Sequence, residues 1–240
     1  MLHATKGIVL KAIKFSETSA VVHIYTEKFG RLAYMINGVY GPKSKFKMGL
    51  LQPLTVLDMI SYYKENNNLQ RLTEIKPHFI FSSVPFDIVK SSIAIFISEI
   101  LYKVLREAYS EAGLFDFLAR SILLLDNSTT SVANFHLIFL LKLGAFLGIY
   151  PQNNFFYTER SIFDLEEGVF VHRPPTHANY LTLPLSHLLA NALSAEIEQC
   201  HLLSVNKAQR HDLLHALIKY YELHIDGFGN VRSLKVLEEL

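Results

Sequence analysis

Apolar residues recur in two different rhythms along this chain, and the change falls near residue 80. Upstream lie short runs rich in Ile, Val and Tyr: Gly7–Phe15, Ala20–Thr26 and Arg31–Ile36, separated by breaks at Ser16–Ser19 and Glu27–Gly30. Such β-branched and aromatic runs predict strands. Two more follow, Leu54–Tyr63 entered through Pro53 and Leu69–Ile75, with Glu65-Asn66-Asn67-Asn68 as the turn between them. Five short strands so closely spaced predict a small closed or partly open barrel, because a small antiparallel sheet must hide its edges.

After Pro77 the spacing becomes helical. Ile93, Phe96, Ile97, Ile100, Leu101, Val104 and Leu105 fall on one face, with Ser83 as the candidate N-cap. Helical patterns also cover 114–125, 132–147, 185–199, 207–224 and 233–239. The 132–147 segment is apolar almost all round, which marks it as the helix the others pack around. Between it and the next helix, Ser161–His172 alternates about Glu167-Gly168 and predicts a β-hairpin. The expected organisation is a strand-rich domain over residues 1–80 and a helical domain over 81–240 with a hairpin insert near 161–172.

Charge sharpens that division. The whole chain carries a formal charge of only +1, yet residues 1–80 hold 11 Lys and Arg against 5 Asp and Glu, and residues 81–240 hold 12 against 17. A basic module attracts phosphates, and an acidic-leaning neighbour faces other proteins. With 240 residues, half of them apolar, the chain can bury a proper core. The single cysteine, Cys200, forms no intramolecular disulfide, and the N-terminus has no apolar segment before a small-residue cleavage site, so a cytoplasmic protein is expected. The most apolar stretch, Leu137–Tyr150, is shorter than a membrane span and carries Lys142 in its middle.

The strongest local signal is the stretch from Asn37 to Lys47, where Lys43, Lys45 and Lys47 stand at every second position with Tyr40 and Phe46 among them. In an extended segment such lysines project to one side and can follow a phosphate backbone while an aromatic stacks on a base. Lys6, Lys11, Lys14, Arg31, Lys64 and Arg71 add positive charge to the same small domain. The bland alternative is a solvated loop whose lysines serve solubility alone.

No catalytic constellation emerges. Lys43-Ser44 resembles the end of a phosphate-binding P-loop, but the glycines that motif needs are replaced by Asn37 and Pro42. His211 and His215 stand one helical turn apart in a His-Asp-Leu-Leu-His run, with no obvious third ligand beyond His201, His224 and Cys200. They flank the stripe of Leu213, Leu214, Leu217, Ile218 and Tyr221 at its polar border, so a structural role is expected and no metal. Glu166-Glu167 sits at the hairpin turn, and His172 and His177 lie in a Pro174-Pro175 loop expected to be exposed. Neither an enzyme nor a cofactor is indicated.

The C-terminal run from Lys219 to Glu239, a helix followed by a Gly227/Gly229 turn and a new helix capped by Ser233, resembles the closing signature of RecO, a bacterial recombination mediator family. The segment Phe135–Pro151 resembles the family's central helix and its exit. Lys6–Lys11, Tyr25–Arg31, Gly38–Lys45 and Leu51–Leu54 match its N-terminal pattern in order. The resemblance implies an α+β protein, an N-terminal OB-fold β-barrel followed by a helical domain. By the same resemblance it implies binding of single- and double-stranded DNA, annealing of complementary strands, and cooperation with RecR to load RecA on DNA coated by single-strand-binding protein. Many members carry a four-cysteine zinc knuckle after the position of Pro151; Gln152–Arg173 contains no cysteine, so no structural zinc is expected here.

The residues expected to meet DNA are Lys11, Lys14, Arg31, Tyr40, Lys43, Lys45, Lys47 and Arg71. They would neutralise phosphates on two strands while stacking residues hold bases loosely. The resemblance also implies capture of the acidic C-terminal tail of single-strand-binding protein, for which Arg106, Arg120 and Lys142 are candidates. Two other readings compete: an interaction scaffold built on a degenerate barrel, and a metal-dependent hydrolase using His211 and His215.

Overall fold

A computed structural model of the protein describes residues 1–40, 47–65, 67–106, 112–155 and 161–238. The chain forms two compact units, one of Met1–Asn127 with Val231–Leu240 and one of Ser128–Asn230.

The first unit begins with the strands β1 (Leu2–Lys14), β2 (Ala20–Thr26), β3 (Gly30–Ile36), β4 (Val56–Tyr62) and β5 (Leu69–Pro77). They close into a barrel in the order β1-β2-β3-β5-β4, with β3 and β5 parallel and the other pairs antiparallel. This is the OB-fold arrangement. Its interior is filled by Val9, Val22, Ile24, Tyr34, Ile36, Leu57, Met59 and Leu72. Gly7 lets β1 serve two neighbours at once: it pairs with Thr26 and Leu57, and a Cβ there would stand 2.5 Å from Ile24 and 2.7 Å from Met59. β2 occupies the segment its apolar run predicts. β1 starts at Leu2 rather than Gly7, because Leu2–Lys6 gains its backbone partners from Tyr62–Asp58, far away in sequence.

The helices α1 (Ile88–Val104) and α2 (Ala112–Asn127) follow the barrel in this unit. The cap of α1 is Asp87, whose side chain accepts from the amides of Val89 and Lys90, and not Ser83. Ser83 is engaged elsewhere. The buried carboxylate of Asp126 accepts from the amides of Ser82, Ser83 and Val84 and from the Ser82 hydroxyl at 2.7–2.9 Å. Burial opposes its ionisation, but these bonds outweigh burial and hold its pKa below the ordinary carboxylate value. The buried Lys90 ammonium closes the knot on the Asp126 carbonyl at 3.0 Å and the Ser83 hydroxyl at 2.7 Å. The last helix, α6 (Leu234–Glu238), follows a segment that returns to α1. There the Glu99 carboxylate accepts from the amides of Arg232 and Ser233 and from the Ser233 hydroxyl at 2.6–3.0 Å.

The second unit is built on α3 (Phe135–Phe146), which is buried almost all round as its composition requires. Around it lie β6 (Ile162–Asp164), β7 (Val169–Val171), β8 (Tyr180–Leu181), α4 (Leu185–Ser194) and α5 (Lys207–His224). The predicted hairpin is present as β6–β7, and β8 adds a third strand in the order β7-β6-β8. The expected helix 185–199 is broken: α4 stops at Ser194, Ala195 and Glu196 are extended, and a 3-10 turn covers Ile197–Leu202. α5 packs its predicted stripe inward, with the Tyr221 hydroxyl donating to the Leu140 carbonyl at 2.7 Å. His136, fully buried on α3, has its pKa pushed down to about 3 by burial and by Arg210. Among the described residues no helix is long and apolar enough to cross a membrane.

Candidate nucleic-acid interface

The outer wall of β1, β2 and β3 is organised in three tiers by strand register. The lowest pairs Tyr25 with Arg31. Tyr25 is buried and stacks on Phe115 of α2 at 6.3 Å. The Arg31 guanidinium donates to the carbonyls of Tyr102 at 2.7 Å and Arg106 at 3.2 Å, at the end of α1. A helix C-terminus presents unpaired carbonyls and partial negative charge, so a planar cation suits it. Burial, with help from Arg106, lowers the Arg31 pKa from its ordinary value.

The middle tier runs Lys11, His23, Ala33, Leu69. Over it leans the Tyr102 ring, with the Lys11 ammonium 4.7 Å and the Arg31 guanidinium 5.0 Å from its centre and the His23 ring edge-on at 5.0 Å. Burial, then Arg31 and Lys11, push the His23 pKa below its ordinary value, so the imidazole is neutral at physiological pH.

The upper tier runs Ile13, Val21, Met35, Arg71, Tyr62. Ile13, Arg71 and Tyr62 are exposed here and Val21 and Met35 half-buried. At its edge stands Lys14, whose ammonium lies 5.6 Å from the Tyr40 ring and 3.4 Å from Glu17. That ion pair is exposed and therefore weak. Phe15, 67% exposed, follows Lys14 at the end of β1, and Lys47 is exposed as well.

The opposite wall, β1–β4–β5, has a different character. A groove of about 460 Å³ there is lined by Lys6, Lys28 and Lys76 but equally by Glu27, Asp58 and Glu74. Lys6 pairs with Glu27 at 3.8 Å and Lys76 with Asp58 at 3.6 Å. Cations so balanced leave little field for a phosphate backbone.

Comparison with known proteins settles the relationship. The family models described as "Recombination protein O N terminal" and "Recombination protein O C terminal" match residues 1–81 and 85–234. The chain belongs to the RecO family. The DNA repair protein RecO of Bacteroides fragilis is 38% identical over all of this chain and 99% of its own length. That of Phocaeicola vulgatus is 37% identical over the same shares, and that of Flavobacterium psychrophilum 36% identical over 98% of each chain. This is a RecO-family DNA repair protein, and the RecO resemblance read in the sequence holds over the whole chain.

Within this RecO chain the structure brings together Lys11 and Arg31 around Tyr102, and Lys14 with Tyr40. Arg71 stands on the upper tier and Lys47 is exposed. Lys43 and Lys45 lie outside the described residues. Of the residues expected to meet partners, Arg106 has its Nε on the Lys103 carbonyl at 2.9 Å, Arg120 is exposed on α2, and Lys142 pairs with Glu196 at 3.2 Å. His177, expected exposed, is half-buried against Asp164 and Glu166 at 3.3 and 3.5 Å. No pattern in the sequence marks Tyr102 or His23 as members of the wall. Tyr102 sits on a helix face with nothing to distinguish it, and its partners are 70 and more residues upstream.

Proposed function

We propose that this RecO-family protein binds single- and double-stranded DNA on the middle and upper tiers of its barrel wall, with Lys11, Lys14 and Arg71 meeting phosphates and Lys47 adding charge. Tyr40 and Tyr62 offer rings for bases, and Lys43 and Lys45, outside the described residues, add charge. Arg31, its N–H groups held by carbonyls, contributes charge from beneath. The observation that carries this reading is the upper tier, where Val21 of β2 and Met35 of β3, on the strands whose face OB folds offer to oligonucleotides, are flanked by the exposed Ile13, Arg71 and Tyr62 and by Lys14. Neutralising phosphates on two strands lowers their repulsion, and stacking tolerates any base, so complementary strands can exchange and anneal.

From the RecO resemblance we further assign cooperation with RecR in loading RecA on DNA coated by single-strand-binding protein, in the cytoplasm and without covalent chemistry. In this division the barrel, residues 1–80, handles DNA. Residues 81–240, with Arg106, Arg120 and Lys142, handle protein partners such as the acidic tail of single-strand-binding protein.

The test is fluorescence anisotropy with a single-stranded oligonucleotide at two salt concentrations. Binding should weaken steeply with salt, and Lys43, Lys45 and Lys47 changed together to Ala should flatten the log–log slope by roughly 0.7 unit per lost phosphate contact. A second reading, a protein-interaction surface, draws support from the apolar share of the wall, where Ile13 on the upper tier and Leu69 on the middle one are about as exposed as Tyr62. Binding that is absent at low salt, or indifferent to salt, would favour it.

A further inference from the structure

We infer that α5 carries a surface site for a divalent transition-metal ion, with His211 and His215 as its two protein ligands. Residues four apart on a helix stand one above the other on the same face. Here both imidazoles are exposed, their ring centres 4.3 Å apart with planes inclined at 41°. Candidate ring nitrogens of the pair lie within 4.8 Å of each other. A tetrahedral zinc ion with Zn–N bonds of about 2.0–2.1 Å requires roughly 3.4 Å between them. Small side-chain rotations on an exposed face close that difference.

One further feature favours ligation: the helix is preorganised. Its start is closed by the reciprocal bonds of Asn206 and Gln209, and Leu213, Leu214, Leu217, Ile218 and Tyr221 anchor its inner face. The two ligands are therefore held before any ion arrives. Two imidazoles and no thiolate select zinc, nickel or copper over magnesium or calcium. The site is independent of the DNA-binding reading and of the cysteine knuckle seen in other family members.

The experiment is equilibrium dialysis of the full chain against zinc chloride and, separately, nickel chloride, with magnesium chloride as comparison. Saturable uptake of one equivalent of zinc or nickel, and none of magnesium, is expected. That equivalent should be lost in His211→Ala and equally in His215→Ala. Nickel should raise the thermal midpoint of the parent protein and leave both variants unmoved. The glutamine versions, His211→Gln and His215→Gln, keep polarity and helix preference and should behave as the alanine ones do. The inference is overturned if the parent takes up no zinc or nickel, or if His211→Ala or His215→Ala retains the equivalent.

Discussion

Arg31 and Arg71 belong to the same barrel and sit on strands paired in parallel, yet they have opposite surroundings. Arg31 lies on the lowest tier, its guanidinium fixed on two carbonyls at the end of α1. Arg71 stands exposed on the upper tier beside Met35 and Tyr62. The difference lies in what packs above them: Phe115 and Tyr102 roof the lower tiers. The same chemical group thus serves cohesion at one end of a wall and is available to a polyanion at the other.

Breaking the roof should cost most. Asp126→Ala removes the acceptor for three amides and one hydroxyl that seat the start of α1 against the end of α2, and should lower stability by about 3 kcal/mol in urea unfolding. A value near zero would show that the roof does not depend on this knot. Arg31→Ala should cost about 2 kcal/mol, since its bonds are charge-assisted but partly exposed. It should alter the salt slope of DNA binding less than Arg71→Ala does, and the reverse order would dissolve the contrast between tiers.

Acid should act on buried imidazoles next. His136 is neutral in the fold with a pKa of about 3, and an unfolded histidine titrates near 6.5, so the unfolded chain binds more protons between those values. Its contribution is complete above about pH 6.5 and falls as pH falls towards 3, amounting to about 1.4 kcal/mol lost between pH 7.5 and 5.5. His23 shifts in the same direction, and His23→Gln should leave a shallower acid limb. Least affected in stability should be the combined Lys11→Ala, Lys14→Ala and Arg71→Ala variant. Its unfolding free energy should change by less than about 1 kcal/mol, while its DNA-binding slope flattens by about 2 units.

Much of the fold was legible because local pattern and tertiary structure agree. β2 and α5 occupy the residues their periodicity indicates, and the barrel was expected from five short runs. Legibility failed where a side chain answered to a distant partner. Ser83 has the chemistry of a cap, but Asp126 takes its amide from 43 residues away. Arg31 looks like any phosphate-binding cation until Tyr102, 71 residues on, offers a carbonyl. β8, with two residues, is too short to leave an alternating signature. The RecO relationship was readable because its motifs are spread along the whole chain, whereas the tiers of the wall depend on register and on the roofing helices.

The return of the Val231–Glu238 segment to Glu99 also bears on how the molecule is made. The intervening unit, Ser128–Asn230, is an insertion into the first, since residues of that first unit lie on both sides of it in the chain. During synthesis the barrel can close once β5 has emerged, but Glu99 must wait for Arg232 and Ser233, 133 and 134 residues later. The inserted unit is therefore translated in full before the clasp on α1 can form, and the unit that starts first is among the last things to be finished.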